Sequence, residues 1–308
     1  MTDALRQDPR WPRAAAWLAA GTHRWREEPS LVPAMGLLGV PAHLTSISPT
    51  NAHTTPAAVR EALARYSVWA ESSVVDLRDL LGVDLGDIVH PDGPEGEART
   101  TAAVSAFPGR LLVALGGDNS ITYAVAGGSH ATGLVTLDAH HDLRDGTTNG
   151  SPVQRLIEGG LDGRRVVQIG ISDFANSPQY AARARAHGIT ILHRDEVEAR
   201  GISAVMADAL RLAAGDVDEP RIHVDLDVDV CDRSVVPACP AAAPGGLSAY
   251  QLRQAARAAG ADSNVVSIDL AEVDATADAA DGRTVRLVAL CVLEAAAGLA
   301  TRGGWQRE

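Results

Sequence analysis

Lysine is missing from this 308-residue chain: all 27 basic residues are arginine. That absence removes a Schiff-base nucleophile, the phosphate-gripping lysine of a P-loop and any lysine general base. The arginines are outnumbered by 39 acids, for a net charge of −12, and form no basic run that could follow a phosphate backbone. Nucleic acid is therefore not an expected partner. No stretch reaches eighteen uninterrupted apolar residues, and charges interrupt every apolar run near the N-terminus, which argues against a signal peptide, an anchor or a membrane span. Cys231, Cys239 and Cys291 are odd in number and match no zinc spacing, so they read as reduced thiols of a cytoplasmic protein, with Cys291 in the core. Aromatics are only 4% of the chain against 46% apolar residues; abundant alanine and valine suit helices packed closely on a sheet.

The length permits one large α/β domain or two smaller ones. From residue 111 onward, short β-branched runs alternate with amphipathic stretches, the signature of strand-helix units around a parallel sheet. Expected strands are 111–117, 133–139, 166–172, 189–194, 221–228 and 265–273, and four glycine-closed helices fall between them. In LSAYQLRQAARAAG, Leu252, Ala255, Ala256 and Ala259 repeat at helical spacing. TPAAVREALARYS (55–67) reads as a helix with proline in its first turn. DIVHPDGPEGEART (87–100) reads as a surface loop rather than a domain boundary.

Two strands end in acids. In DAHHD, extended geometry puts Asp138, His140 and Asp142 on one face and turns Ala139 and His141 away. In HVDLDVDVCD, Asp225, Asp227 and Asp229 alternate with Leu226 and Val228. Carboxylates crowded at a buried strand end need a cation, a proton or exposure. A divalent metal answers that need, and oxygen donors with imidazole favour manganese or magnesium over thiolate-seeking metals. Ligands of open α/β sheets bind at the carboxyl ends of strands, where both clusters fall. Polar loops after two strands are the plainer alternative. Two other motif readings fail by residue. DLDVDV imitates a haloacid-dehalogenase nucleophile strand, but that chemistry wants a lysine. An EF-hand beginning at Asp225 would place glycine and glutamate where Val230 and Val236 stand.

Four segments in order, GGDNS (116–120), DAHHD (138–142), DLDVDVCDRSVVP (225–237) and DLAEVD (269–274), resemble the ureohydrolase family of arginases and agmatinases. The resemblance implies a three-layer α/β/α fold with a central, mostly parallel sheet. It further implies one catalytic domain over residues 1–308, with residues 1–30 as an N-terminal arm, and assembly into a homo-oligomer. Its cofactor would be two Mn2+ ions. By position, Asp138 and Asp227 should bridge the metals, His140 and Asp229 complete one site, and Asp142 the other. Asn119 replaces the family's histidine ligand with a weaker neutral donor, so the metal site near it should bind less firmly. Asp225 takes the place of a family serine and is not expected to ligate; Asp118 is expected to be structural.

Among the branches, DAHHDLRDG is most similar to formimidoylglutamases, an enzyme class of histidine degradation. That likeness implies hydrolysis of N-formimidoyl-L-glutamate to L-glutamate and formamide. Asp142 would carry the proton to the leaving amine and Glu272 would hold the cationic nitrogen end of the substrate. Arg144 suits a carboxylate clamp, since its planar fork matches a substrate with two carboxylates. Asn149 stands where arginases carry a proton-shuttling histidine and is a candidate substrate contact. Two alternatives remain open at this level: an agmatinase or other guanidino-compound hydrolase, and a non-catalytic metal-binding or ligand-binding relative.

Overall fold

A computed structural model describes residue 8 and residues 10–303. Its strands are β1 (Met35–Val40), β2 (Trp69–Ala70), β3 (Val75–Asp76), β4 (Gly82–Asp87), β5 (Leu111–Gly116), β6 (Gly133–Leu137), β7 (Val166–Ile169), β8 (Thr190–Leu192), β9 (Ile222–Asp227) and β10 (Val265–Ala271). The α-helices are α1 (Ala14–Glu27), α2 (Thr55–Leu63), α3 (Gly93–Ser105), α4 (Ile121–Gly128), α5 (Pro152–Glu158), α6 (Pro178–His187), α7 (Arg194–Arg200), α8 (Ile202–Ala214), α9 (Ala249–Ala261) and α10 (Arg283–Leu299). Eight strands form one sheet in the order β4-β1-β5-β10-β9-β6-β7-β8, every pair parallel.

Side chains alternate between the two faces, as strand geometry requires. Leu111, Val113 and Leu115 of β5 join the core under α1, α2, α8, α9 and α10, while Leu112 and Ala114 join the packing of α3 and α4 on the other face. The result is the expected α/β/α sandwich. The repeat Leu252, Ala255, Ala256 and Ala259 is fully buried in α9. Ser248 and Gln251 close the start of that helix with reciprocal side-chain to backbone hydrogen bonds, a capping box.

Two expectations are corrected. Residues 14–27 are no arm: they form α1, which lies on edge strand β4, buries Trp17 and Leu18, and donates from Trp17 Nε1 to the Leu80 carbonyl at 3.0 Å. The stretch 87–100 is only partly a loop, because α3 begins at Gly93. Just Gly96, Thr100 and Val104 of α3 are buried, a stripe one residue wide that leaves the sequence looking polar throughout. The expected strands also end sooner than read: β6 stops at Leu137, β7 at Ile169 and β9 at Asp227.

Candidate metal centre and substrate cavity

Parallel pairing brings the carboxyl ends of all eight strands to one edge of the sheet. The four central strands supply the site there: β5 runs into Asp118 and Asn119, β10 into Glu272, β9 ends on Asp227, and β6 runs into Asp138. The GGDNS turn fits closely, since a Cβ at Gly117 would collide with the Ala42 carbonyl. Gly117 in turn accepts the Glu272 backbone N–H at 2.8 Å.

Asp138, His140 and Asp229 each place a ligand atom within 4.8 Å of the others, and so do Asp138, Asp142 and Asp227. Asp138 is common to both groups; Asp227, its expected partner in bridging, belongs to one. Strand alternation is not what gathers them. Past the end of β6 the chain turns, with the His140 N–H donating to Asp138 Oδ1 at 2.6 Å, and Asp142 adopts a left-handed φ of 51°. Asp229 sits in a single 3-10 turn whose N–H donates to Asp227 Oδ1 at 2.9 Å. A positive φ on a non-glycine residue is uncommon and gathers at functional sites. Glu272, with φ of 64°, is the second case here.

These acids are almost inaccessible: Asp138, Asp229 and Asp227 are 1%, 2% and 3% exposed. Burial, reinforced by Asp229, pushes Asp138 up to about 6. Burial and the neighbouring carboxylates hold Asp142 and Asp227 well above the ordinary range. Burial also opposes charge on His140, yet its hydrogen bonds to Asp138 and Asp229 outweigh that and push it up to about 12. Its Nδ1 lies 3.1 Å from Asp229 Oδ2 and 3.3 Å from Asp138 Oδ1. Asp229 is lowered, because the His140 hydrogen bond overcomes its own burial. The carboxylates around His140 thus favour positive charge at this position. Hard oxygen donors, one imidazole and charge needing compensation fit divalent manganese.

Asn119 turns its amide Nδ2 to Asp142 Oδ2 at 2.8 Å and receives Thr122 Oγ1 on Oδ1 at 2.9 Å, so here it braces Asp142. Glu272 Oε1 accepts two N–H groups, from the Asn119 backbone and from Asn149 Nδ2, both at 2.7 Å. Burial still pushes its carboxyl up to about 8. Beside these groups opens a cavity of about 300 Å³ whose wall includes His140, Asp142, Asp227, Asp229, Glu272 and Arg144. Arg144 is exposed, with its guanidinium carbon 5.9 Å from the Tyr180 ring centre, and among the described residues no carboxylate lies within 4.0 Å of it.

His141 points elsewhere, as expected, with Nδ1 2.7 Å from Gln168 Oε1. Sequence reasoning missed the amides that hold this turn. Gln168 Nε2 donates to the His141 carbonyl at 2.9 Å; Asn176 receives the His141 N–H at 3.0 Å and donates to the Ala139 carbonyl at 2.9 Å. No pattern in SDFANS marks Asn176, whose two partners in this turn lie more than thirty residues away. Asp225 stays out of both metal groups: it lies beneath them on β9, in register with Thr136 and Asp269, and neither of its oxygens has a hydrogen-bond partner. Asp118 is buried and receives the Ser120 hydroxyl at 2.5 Å, in keeping with a structural role.

The family model described as "Arginase family" matches residues 33–298. The chain belongs to the arginase family. As such it is a metal-dependent ureohydrolase, and it is similar to several formimidoylglutamases. One, from Halalkalibacterium halodurans, is 36% identical over 262 residues, covering 80% of this chain and 82% of its own. A guanidinopropionase from Pseudomonas aeruginosa is 32% identical over 282 residues, covering 84% and 86%. The crystal structure of formimidoylglutamase from Bacillus subtilis superposes with a TM-score of 0.87 at 29% identity, over 98% of this chain and 96% of that one. A Trypanosoma cruzi formiminoglutamase solved with Mn2+ shares the fold at a TM-score of 0.85 and 24% identity, over 95% and 99%. Among the described residues no helix of this arginase-family member is long and apolar enough to cross a membrane.

Proposed function

We propose that the chain hydrolyses N-formimidoyl-L-glutamate to L-glutamate and formamide with two Mn2+ ions held by Asp138, His140, Asp142, Asp227 and Asp229. The observation that carries the substrate is Arg144, a guanidinium with no carboxylate partner among the described residues, in the wall of the cavity that also holds Asp142, Asp227, Asp229 and Glu272. A substrate with carboxylates at one end and an amidine at the other has a partner for each. Bound divalent ions supply the positive charge that acidifies water and polarises the amidine carbon.

The remaining roles belong to the chain. Arg144 grips a substrate carboxylate through its fork. Glu272 takes the N–H of the amidine on Oε2, since Oε1 is already engaged by Asn119 and Asn149. Asp142, held by the Asn119 amide, takes a proton from the attacking water and delivers it to the leaving amine, so that C–O forms and C–N breaks without net proton change. Asn119 supports the nearby metal site through Asp142, and the site is expected to bind its ion more weakly than one with a charged or imidazole ligand there.

Turnover by the Mn2+-loaded protein tests this reading. Formimidoylglutamate should be hydrolysed with kcat/KM at least about tenfold above that for agmatine, the discrimination of roughly 1.5 kcal/mol that one exposed, charged hydrogen-bonded contact provides. A preference for agmatine or 3-guanidinopropionate would move the chain to another branch of the family. Hydrolysis of none of them would leave a ligand-binding relative.

A further inference from the structure

Asn149 lines the cavity, yet both ends of its carboxamide are committed to the protein. Oδ1 accepts the Ile47 N–H at 3.0 Å and Nδ2 donates to Glu272 Oε1 at 2.7 Å. The network fixes this orientation of the amide: the flipped one would set oxygen against carboxylate and N–H against N–H. Its backbone N–H also binds the Thr45 carbonyl at 3.2 Å. One side chain therefore ties the segment 45–48 at the cavity mouth to the carboxylate at its base.

The geometry points to Asn149 as a positioning residue that acts through Glu272. A buried carboxylate on a short backbone arc can turn either oxygen to a ligand, and each orientation asks for different donors. Two N–H groups saturate Oε1, from the Asn119 backbone and from Asn149; Oε2 takes no hydrogen bond among the described residues and remains for a cationic amidine or guanidinium nitrogen. The two donors also lower the cost of keeping this buried acid ionised. Asn149 thus selects which atom of Glu272 meets the substrate, and does so without touching the substrate itself. This inference rests on the role proposed above for Glu272, and is independent of which amidine is the substrate.

Two substitutions separate this role from simple tethering of the mouth. Asn149→Asp keeps an acceptor for the Ile47 N–H and removes the donor to Glu272; Asn149→Ala removes both. Guanidinium chloride is titrated calorimetrically into the Mn2+-loaded wild type and both variants, with Mn2+ affinity measured in parallel. Guanidinium binding should weaken about tenfold or more in both variants, the loss expected for one hydrogen bond to a charged group, with Asn149→Asp the more damaged and Mn2+ affinity within about twofold. KM for whichever substrate the wild type turns over should rise by a similar factor, with a smaller change in kcat. Guanidinium affinity at wild-type level in Asn149→Asp would overturn the inference, as would a wild type that does not bind guanidinium. Should Asn149→Ala fail to fold, the isosteric variant decides alone. Failure of the substrate reading looks different: formimidoylglutamate is not turned over by the wild type, while the order of guanidinium affinities persists.

Discussion

Replacing Arg144 by alanine removes the cation that the proposed pose offers to the substrate's carboxylates. A hydrogen-bonded contact to a charged group is worth about 1.5–3 kcal/mol when water is excluded from it. Arg144 is exposed in the open cavity and lies near Tyr180 rather than against an acid, so the lower end of that range applies. About 1.5 kcal/mol corresponds to a loss in kcat/KM of roughly tenfold, rising toward a hundredfold if the substrate itself seals the cavity mouth. Arg144→Lys keeps the charge without the planar fork and should recover part of the loss. The assay is steady-state hydrolysis of formimidoylglutamate and agmatine by wild type and both variants, each loaded with Mn2+. The account requires the dicarboxylate to suffer and agmatine, which has no carboxylate, to be affected less than about twofold, within the usual scatter for a contact it does not make. Equal losses on both substrates, or none on formimidoylglutamate, would show that Arg144 is not the clamp.

The metal-free protein should lose stability as pH rises from about 4 to 8. Burial raises Asp138 to about 6 and Glu272 to about 8, so each contributes stability that is complete below its unfolded pKa and is lost as pH climbs through the folded value. Added Mn2+ should reverse that slope, because binding displaces the His140 proton and therefore strengthens with pH; thermal unfolding midpoints from pH 5 to 9, with chelator and with Mn2+, provide the check. Asp225→Asn should flatten the fall in stability of the metal-free protein with rising pH, since burial and the neighbouring Asp269 hold the Asp225 carboxyl well above its ordinary range and an amide has no proton to lose; an unchanged slope would contradict this.

Acids interrupting apolar runs made the site visible in the sequence. A buried strand that ends Asp-x-His-x-Asp or repeats Asp-x-Asp must put its charges somewhere, and the carboxyl edge of a parallel sheet is where ligands bind. Alternation along an extended strand groups residues that the structure does bring together, but for an incomplete reason, since β6 stops at Leu137 and turns carry His140 and Asp142 into place. Positive φ at Asp142 and Glu272 depends on contacts with segments distant in sequence, so no local pattern announces it. The same holds for Asn176 and Gln168, whose value lies in backbone groups that folding brings to them. Helix α1 was obscured by its arginines, which occupy the solvent side while Trp17 and Leu18 face the sheet. Helix α3 was obscured because its buried stripe consists of a glycine, a threonine and a valine.

Manganese stoichiometry tests the centre of this account most directly. Metal-depleted protein titrated with Mn2+ at pH 8, followed by electron paramagnetic resonance, should take up two ions per chain, the second more weakly, and develop the spectrum of a spin-coupled pair as the second site fills. Saturation at one ion, or two ions with no coupling between them, would contradict a centre in which Asp138 belongs to both sites.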